Sequence, residues 1–118
     1  MDPSESSVTT TEVAREAATD VAGLVEALRD PVPELILDVR TPREFRRGHV
    51  PGAVNLPMSA LPNHLGDLEP HRAQTIYVIC ESGHRSARAA GMLGELGFDA
   101  VDVLGGTGAW RRSGLPIE

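Results

Sequence analysis

Short, almost wholly apolar runs alternate along the chain with longer stretches in which apolar residues return every three or four positions. Leu35-Ile36-Leu37-Asp38-Val39, Thr75-Ile76-Tyr77-Val78-Ile79 and Ala100-Val101-Asp102-Val103-Leu104 are the runs. Their length and composition suit parallel strands buried on both faces. Ala53-Val54-Asn55-Leu56 is a shorter candidate strand. Between them, Val13, Ala17, Val21, Leu24, Val25 and Leu28 recur at helical spacing behind Thr9 and Glu12, which are set as a capping box. Gly23 leaves both one helix and two shorter ones open there, and Pro31 and Pro33 end the stretch. Thr41-Pro42-Arg43-Glu44 supplies an N-cap, a proline at the first helical position and a glutamate at the third, so a short helix should run to about Arg47 and stop at Gly48. Met58 to Leu65 predicts another short helix, Arg85 to Leu96 a longer one closed by Gly97, and Thr107 to Arg112 a last one behind the Gly105-Gly106 turn. Short strands alternating with helical segments predict an α/β fold with a small, mainly parallel sheet.

The length, 118 residues, fits one domain able to bury its own core. Residues 1–8 read as a flexible tail. Met1 to Thr11 is acidic and rich in Ser and Thr, without the charged start and apolar stretch of a secretory signal, and no apolar run is long enough to span a bilayer. These features point to a cytoplasmic protein with no membrane partner. The net charge of −6 argues against a nucleic-acid binder. All eleven basic residues are Arg, so an Arg in place of a Lys at any single position carries little information.

The sequence holds one cysteine, Cys80, which rules out an internal disulfide and any cysteine cluster for a metal. A lone Cys behind an apolar run is more often a small core residue. The segment directly behind Cys80, however, is polar, contains Gly83 and opens a helix. Backbone N–H groups in such a turn converge on a point, and a helix N-terminus adds partial positive charge, which favours a thiolate, a persulfide or a bound oxyanion. In open parallel sheets ligands gather at the carboxyl ends of the strands, where Cys80 falls. Arg85 and Arg88 lie three apart on one helix face, although for Arg88 a solvated face is the simpler expectation.

Three motifs in order resemble the rhodanese family. Leu37-Asp38-Val39-Arg40-Thr41-Pro42-Arg43-Glu44-Phe45 with Gly48-His49-Val50-Pro51-Gly52-Ala53-Val54-Asn55 resembles its N-terminal signature. Cys80-Glu81-Ser82-Gly83-His84-Arg85-Ser86 resembles the active-site loop of its single-domain members, and Leu104-Gly105-Gly106, Ala109-Trp110 and Gly114-Leu115-Pro116 resemble its C-terminal signature. The resemblance covers about residues 18–118, leaving 1–17 as an N-terminal extension. It implies a sheet with helices on both faces, Cys80 as nucleophile, and a loop of Glu81, Ser82, Gly83, His84, Arg85 and Ser86 that cradles the transferred sulfur. The implied activity is a double-displacement sulfurtransferase: a donor such as thiosulfate or a persulfide loads Cys80, and a thiol, a protein or cyanide takes the sulfur. No cofactor or metal is implied. Asp38 and Arg40 would be structural, with Asp38 salt-bridged to Arg85. His49 would belong to the turn before Pro51, and Trp110 to packing.

Two features stand out against that pattern. Glu81 directly follows Cys80, where a carboxylate should repel dianionic thiosulfate. Arg40, Arg43, Arg46 and Arg47 crowd into eight residues, either as a solvated face or as a docking patch for an acidic protein. Other activities stay in view. A phosphatase or arsenate reductase on the same fold is disfavoured, because four residues rather than five separate Cys80 from Arg85 and no second Cys is present. A regulatory module or a persulfide carrier with little turnover is the remaining alternative.

Overall fold

The computed structural model describes residues 18–30 and 34–118. Its elements, in chain order, are β1 (Ala18–Thr19), α1 (Val21–Leu28), β2 (Leu35–Asp38), α2 (Pro42–Arg46), β3 (Val54–Asn55), 3₁₀ helices at Leu61–Asn63 and Leu65–His71, β4 (Thr75–Ile79), α3 (His84–Glu95), β5 (Asp99–Val103) and α4 (Gly106–Arg112). The strands form one five-stranded sheet in the order β1-β5-β4-β2-β3, and every pairing is parallel.

The period-two alternation of strand side chains sorts the apolar runs onto two faces. Leu35, Leu37, Val39, Ile76, Val78 and Cys80 point to one side, where Ala89, Ala90 and Leu93 of α3 and Leu61 and Leu68 of the 3₁₀ helices cover them. Ile36, Ile79 and Val103 point to the other, under Val21 and Leu24 of α1 and Trp110 of α4. Helices on both faces explain why β2 and β4 read as continuous apolar runs. Leu24, Leu37, Ile76, Ile79 and Leu93 are fully buried, and burial of each contributes about 1.5–3 kcal/mol.

Several boundaries differ from expectation. α1 begins at Val21, where Asp20 caps it by accepting the Gly23 N–H at 2.8 Å. The Thr9–Glu12 capping box, Val13, Ala17, Pro31 and Pro33 lie outside the described residues. Gly23 is tolerated because space is short: a Cβ there would sit 1.9 Å from Thr19 Oγ1. The segment expected to be a helix over 58–65 is instead a turn followed by a 3₁₀ helix at Leu61–Asn63 with Pro62 at its start, and a second 3₁₀ helix containing Pro70 runs on from Leu65 to His71, since proline removes the N–H that a longer α-helical ladder needs. β1 is a strand the sequence pattern did not predict.

β4 lies between β2 and β5. The chain leaves β2 toward β3 on one flank and leaves β4 toward β5 on the other. The crevice between the carboxyl ends of β2 and β4 is therefore the topological switch point at which open parallel sheets collect ligands. Cys80 follows β4 there, and Asp38 to Arg40 follow β2.

Candidate functional site

Cys80 leaves β4 into a turn built from backbone donors. Its side chain is 1 % exposed. The Gly83 N–H donates to Cys80 Sγ at 3.0 Å, and Ser86 Oγ lies 3.4 Å from the sulfur. Gly83 has φ +114°, a left-handed conformation that favours glycine, and it is the N-cap of α3 without a side-chain cap. The uncapped helix start leaves amides free, and they turn to the sulfur. Burial works against ionisation of Cys80, but the Ser86 hydroxyl and the backbone N–H groups of Ser86, Gly83 and Ser82 outweigh it and hold the thiol below its ordinary range.

α4 locks this turn from behind. The Thr107 N–H donates to the Cys80 carbonyl at 2.8 Å and the Gly108 N–H to the Glu81 carbonyl at 3.0 Å. Gly106, at φ +60°, makes the approach feasible, because a Cβ there would lie 2.3 Å from the Cys80 carbonyl oxygen. The Gly-Gly pair of the sequence thus fixes the backbone of the cysteine turn.

Asp38 and Arg40 are buried together. Arg40 Nη2 donates to Asp38 Oδ2 at 2.8 Å, Arg40 Nε and N to Oδ1 at 3.0 Å each, and Nη2 also to the Gly48 carbonyl at 2.8 Å. Burial disfavours the charged guanidinium, and the hydrogen bonds and charge of Asp38 reverse that effect. The expected salt bridge from Asp38 to Arg85 is absent. Asp38 is already satisfied by the residue two positions on, and Arg85 instead makes a bidentate pair with Glu44 of α2, at 2.7 and 2.9 Å. Glu44 also completes the α2 capping box by accepting from Thr41 N at 3.0 Å. Arg85, more than burial opposes it, holds the Glu44 carboxyl down at about 2.

Glu81 is paired as well. Arg40 Nη1 lies 3.2 Å from one carboxylate oxygen and Arg111 Nη1 3.1 Å from the other. Two guanidinium groups therefore offset the charge expected to repel thiosulfate. Ser82 and His84 are exposed at the rim, with Ser82 Oγ 3.3 Å from His84 Nδ1. The Arg cluster divides: Arg40 is buried, so only Arg43, Arg46 and Arg47 face solvent on and just after α2. His49 is fastened in its turn, with Nδ1 2.8 Å from the Phe45 carbonyl and its ring stacked on Phe45 at 3.6 Å. Trp110 is buried and donates to the Pro116 carbonyl at 2.7 Å. Among the described residues no group of three or more His, Cys, Asp or Glu is placed to hold a metal ion, and no helix is long and apolar enough to cross a membrane.

The sequence pattern did not single out Asp102, Glu44 or Arg111 as site residues. Asp102 is buried on β5, and the Ser86 hydroxyl donates to its Oδ1 at 2.5 Å. Its one signal was a lone acid inside an apolar run. Glu44 registered only as a capping residue.

Comparison with known proteins agrees with this geometry. A family model described as a rhodanese-like domain matches residues 20–113. A protein of Arabidopsis thaliana named thiosulfate sulfurtransferase 16, chloroplastic, is 44 % identical over 93 residues, covering 70 % of this chain and 78 % of the relative. A sulfurtransferase of Allochromatium vinosum is 38 % identical over 99 residues, covering 83 % and 91 %. Among solved structures, a rhodanese-related protein from Thermoplasma volcanium superposes with a TM-score of 0.78 at 36 % identity, over 86 % of this chain and 96 % of that one.

Proposed function

The chain belongs to the rhodanese-like family, and from that premise we propose that it is a sulfurtransferase in which Cys80 accepts a sulfane sulfur as a persulfide and hands it to a thiol acceptor. The Cys80 thiolate attacks the outer sulfur of the donor. An S–S bond forms to Sγ as the donor's own bond to that sulfur breaks, and the leaving group departs with the electron pair; from thiosulfate it is sulfite. An acceptor thiolate then attacks the outer sulfur and releases Cys80 as thiolate, or cyanide takes the sulfur as thiocyanate. Covalent catalysis of this kind replaces one difficult transfer with two easier ones.

The observation that carries the reading is the cradle: the Gly83 N–H at 3.0 Å from Sγ, together with the Ser86 and Ser82 donors, meets the sulfur at an uncapped helix start. The four-residue spacing between Cys80 and Arg85 makes a short loop, which suits a single transferred sulfur better than a tetrahedral oxyanion, and Arg40, paired with Asp38, braces it through Glu81. The same geometry speaks against a phosphatase or arsenate reductase. Those chemistries need a guanidinium free to grip a tetrahedral oxyanion, and Arg85 is held bidentate by Glu44. A persulfide carrier that discharges only to a particular protein remains the second reading, supported by the near-complete burial of Sγ.

Intact mass of the reduced protein, after exposure to thiosulfate and separately to a small-molecule persulfide, tests the proposal. Wild type should gain one sulfur atom and Cys80→Ser none. No gain with either donor would overturn it. Loading without turnover on cyanide or small thiols would favour the carrier.

A further inference from the structure

On the side of Ser86 away from Cys80 lies a buried acid that the sulfur chemistry does not use. Ser86 Oγ sits between two groups: Cys80 Sγ at 3.4 Å and Asp102 Oδ1 at 2.5 Å. The hydroxyl has one proton to donate, and the Gly83 carbonyl, at 3.2 Å, is the weaker competitor for it. Asp102 is 6 % exposed. Asp102 also lines a groove of about 530 Å³ between α3 and the β5–β1 flank of the sheet, together with Ala18, Ala87, Ala90, Gly91 and Asp99 among others. A hydrogen-bonded line therefore runs from the buried sulfur through Ser86 to a carboxylate at the wall of an open groove.

We propose that Asp102 is the proton acceptor for Cys80, acting through the Ser86 hydroxyl. In the resting state the Cys80 S–H donates to Ser86 Oγ, and the Ser86 O–H donates to Asp102. On activation the Cys80 S–H bond breaks and its proton bonds to Ser86 Oγ, while the proton Ser86 held passes to Asp102 Oδ1. The result is a thiolate that accepts from Ser86, and a neutral carboxylic acid that donates to Ser86. No charge is created in the core; it moves from one end of the line to the other. Asp102 then loses its proton to water in the groove, on the opposite side of the nucleophile from the cradle. Asp102 does not touch the transferred sulfur, so it is a positioning residue for the protonation state of Cys80.

The surroundings suit this exchange. Burial raises the Asp102 carboxyl against the opposing Ser86 hydrogen bond, while the backbone N–H groups of Ser86, Gly83 and Ser82 pull the Cys80 thiol down; the two proton affinities are drawn toward each other, which is the condition for sharing a proton. Of the other charged groups nearby, Arg85 favours the thiolate but is held by Glu44, Glu81 is held by Arg40 and Arg111, and His84 lies exposed at the rim. On the groove side Asp99 accepts from Thr75 Oγ1 at 2.8 Å, Arg72 is bound to Glu69, and no basic residue lines the wall. Val78, in register with Asp102 on β4, and Ala18 on β1 bring no charge.

The inference rests on Cys80 being the nucleophile, and its test uses no sulfur donor, so the two fail separately. Thiolate formation is followed from low to high pH by absorbance and by the rate of alkylation with iodoacetamide, together with the carbon-13 resonance of the Asp102 carboxyl. In the wild type the thiolate should form in two steps about one pH unit or more apart, because Cys80 and Asp102 share one proton before losing both. The Asp102 resonance should show the same two inflections. Asp102→Asn should leave one step, with its midpoint below the upper step of the wild type, since the amide brings no charge and its N–H stands in for the carboxylic acid. Cys80→Ala should strip the Asp102 resonance of one inflection, by reciprocity of the coupling. A single thiolate step common to wild type and Asp102→Asn would overturn the proposal. Should Asp102→Asn fail to fold, the carboxyl resonance of the wild type decides alone: an Asp102 that titrates without an inflection at the pH of Cys80 ends the idea.

Discussion

Strands β2 and β4 end side by side, and each turns directly into a helix, yet the two turns direct their polar groups in opposite ways. After β2 every polar group is taken by a neighbour. Asp38 and Arg40 satisfy each other, Thr41 caps α2 by accepting the Glu44 N–H at 3.2 Å, and the Glu44 carboxylate returns to Thr41 and crosses to Arg85. After β4 the cap is Gly83, which has no side chain to offer, and the helix-start donors meet Cys80 Sγ instead. A helix N-terminus is an anion site only while its amides lack a partner. The β2 turn closes that option with a capping box, and the β4 turn keeps it open by placing glycine at the cap. The closed turn is also what braces the open one, through Glu44 on Arg85 and Arg40 on Glu81.

The contrast breaks most severely at Asp38. Asp38→Ala leaves the Arg40 guanidinium buried and without its carboxylate, and should lower unfolding free energy by roughly 3–5 kcal/mol in chemical denaturation. Gly83→Ala tests the open turn. At φ +114° a Cβ strains the backbone by about 1–3 kcal/mol, and because the strain falls on the Sγ donor, thiolate formation should shift to higher pH along with the loss of stability. Stability lost with the thiol titration unmoved would mean that the Gly83 N–H does not set the acidity of Cys80.

The link between the turns has a pH signature. The folded-state Glu44 carboxyl lies at about 2, below its unfolded value of about 4.3. A depressed carboxylate contributes stability that is full above the unfolded value and is lost as pH falls toward the folded one. Glu44→Gln should therefore cost about 1 kcal/mol near neutral pH, discounted for a partly exposed pair, and the gap to wild type should close between about pH 4 and 2. A gap that is constant with pH would assign the loss to the capping hydrogen bonds rather than to charge.

Much of this was legible in the sequence, and the exceptions share a cause. β2, β4 and β5 could be read because most of their apolar residues are buried between helices on both faces, all four positions in β2 and three of the five in each of β4 and β5. β3 was visible as the short run Ala53 to Leu56, although only Val54–Asn55 forms the strand; β1, two residues long, exists by pairing alone, the Leu104 N–H reaching the Thr19 carbonyl at 2.7 Å. The cysteine turn was visible in Gly83 and the helix behind it. Charge partners were not. Asp38 bonds a residue two positions away, and Arg85 bonds Glu44, forty-one positions away; spacing along a chain cannot rank carboxylates that only the crossovers bring together. Asp102 was hidden for the same reason, since its meaning comes from Ser86 on the helix above it.

The smallest expected effect concerns the carboxylate next to the sulfur. Read from sequence, Glu81 repels a dianion. Read in place, it carries Arg40 on one oxygen and Arg111 on the other, and Arg40 is shared with the buried Asp38, so a thiosulfate approaching Cys80 meets a paired cluster of two carboxylates and two guanidinium groups. Glu81 and Arg111 are each about two-fifths exposed, and solvent screens what imbalance remains. Glu81→Gln should therefore change kcat/KM for thiosulfate by less than about threefold, the scale of a screened surface pair. Arg111→Gln makes the sharper comparison, because it exposes the Glu81 charge without altering the loop: thiosulfate should then be used less well and an uncharged persulfide donor no differently, with the contrast fading as salt is added. A tenfold gain for Glu81→Gln would show instead that the carboxylate works as a filter against dianions in spite of its partners. The open turn would then select its donor by charge as well as by size.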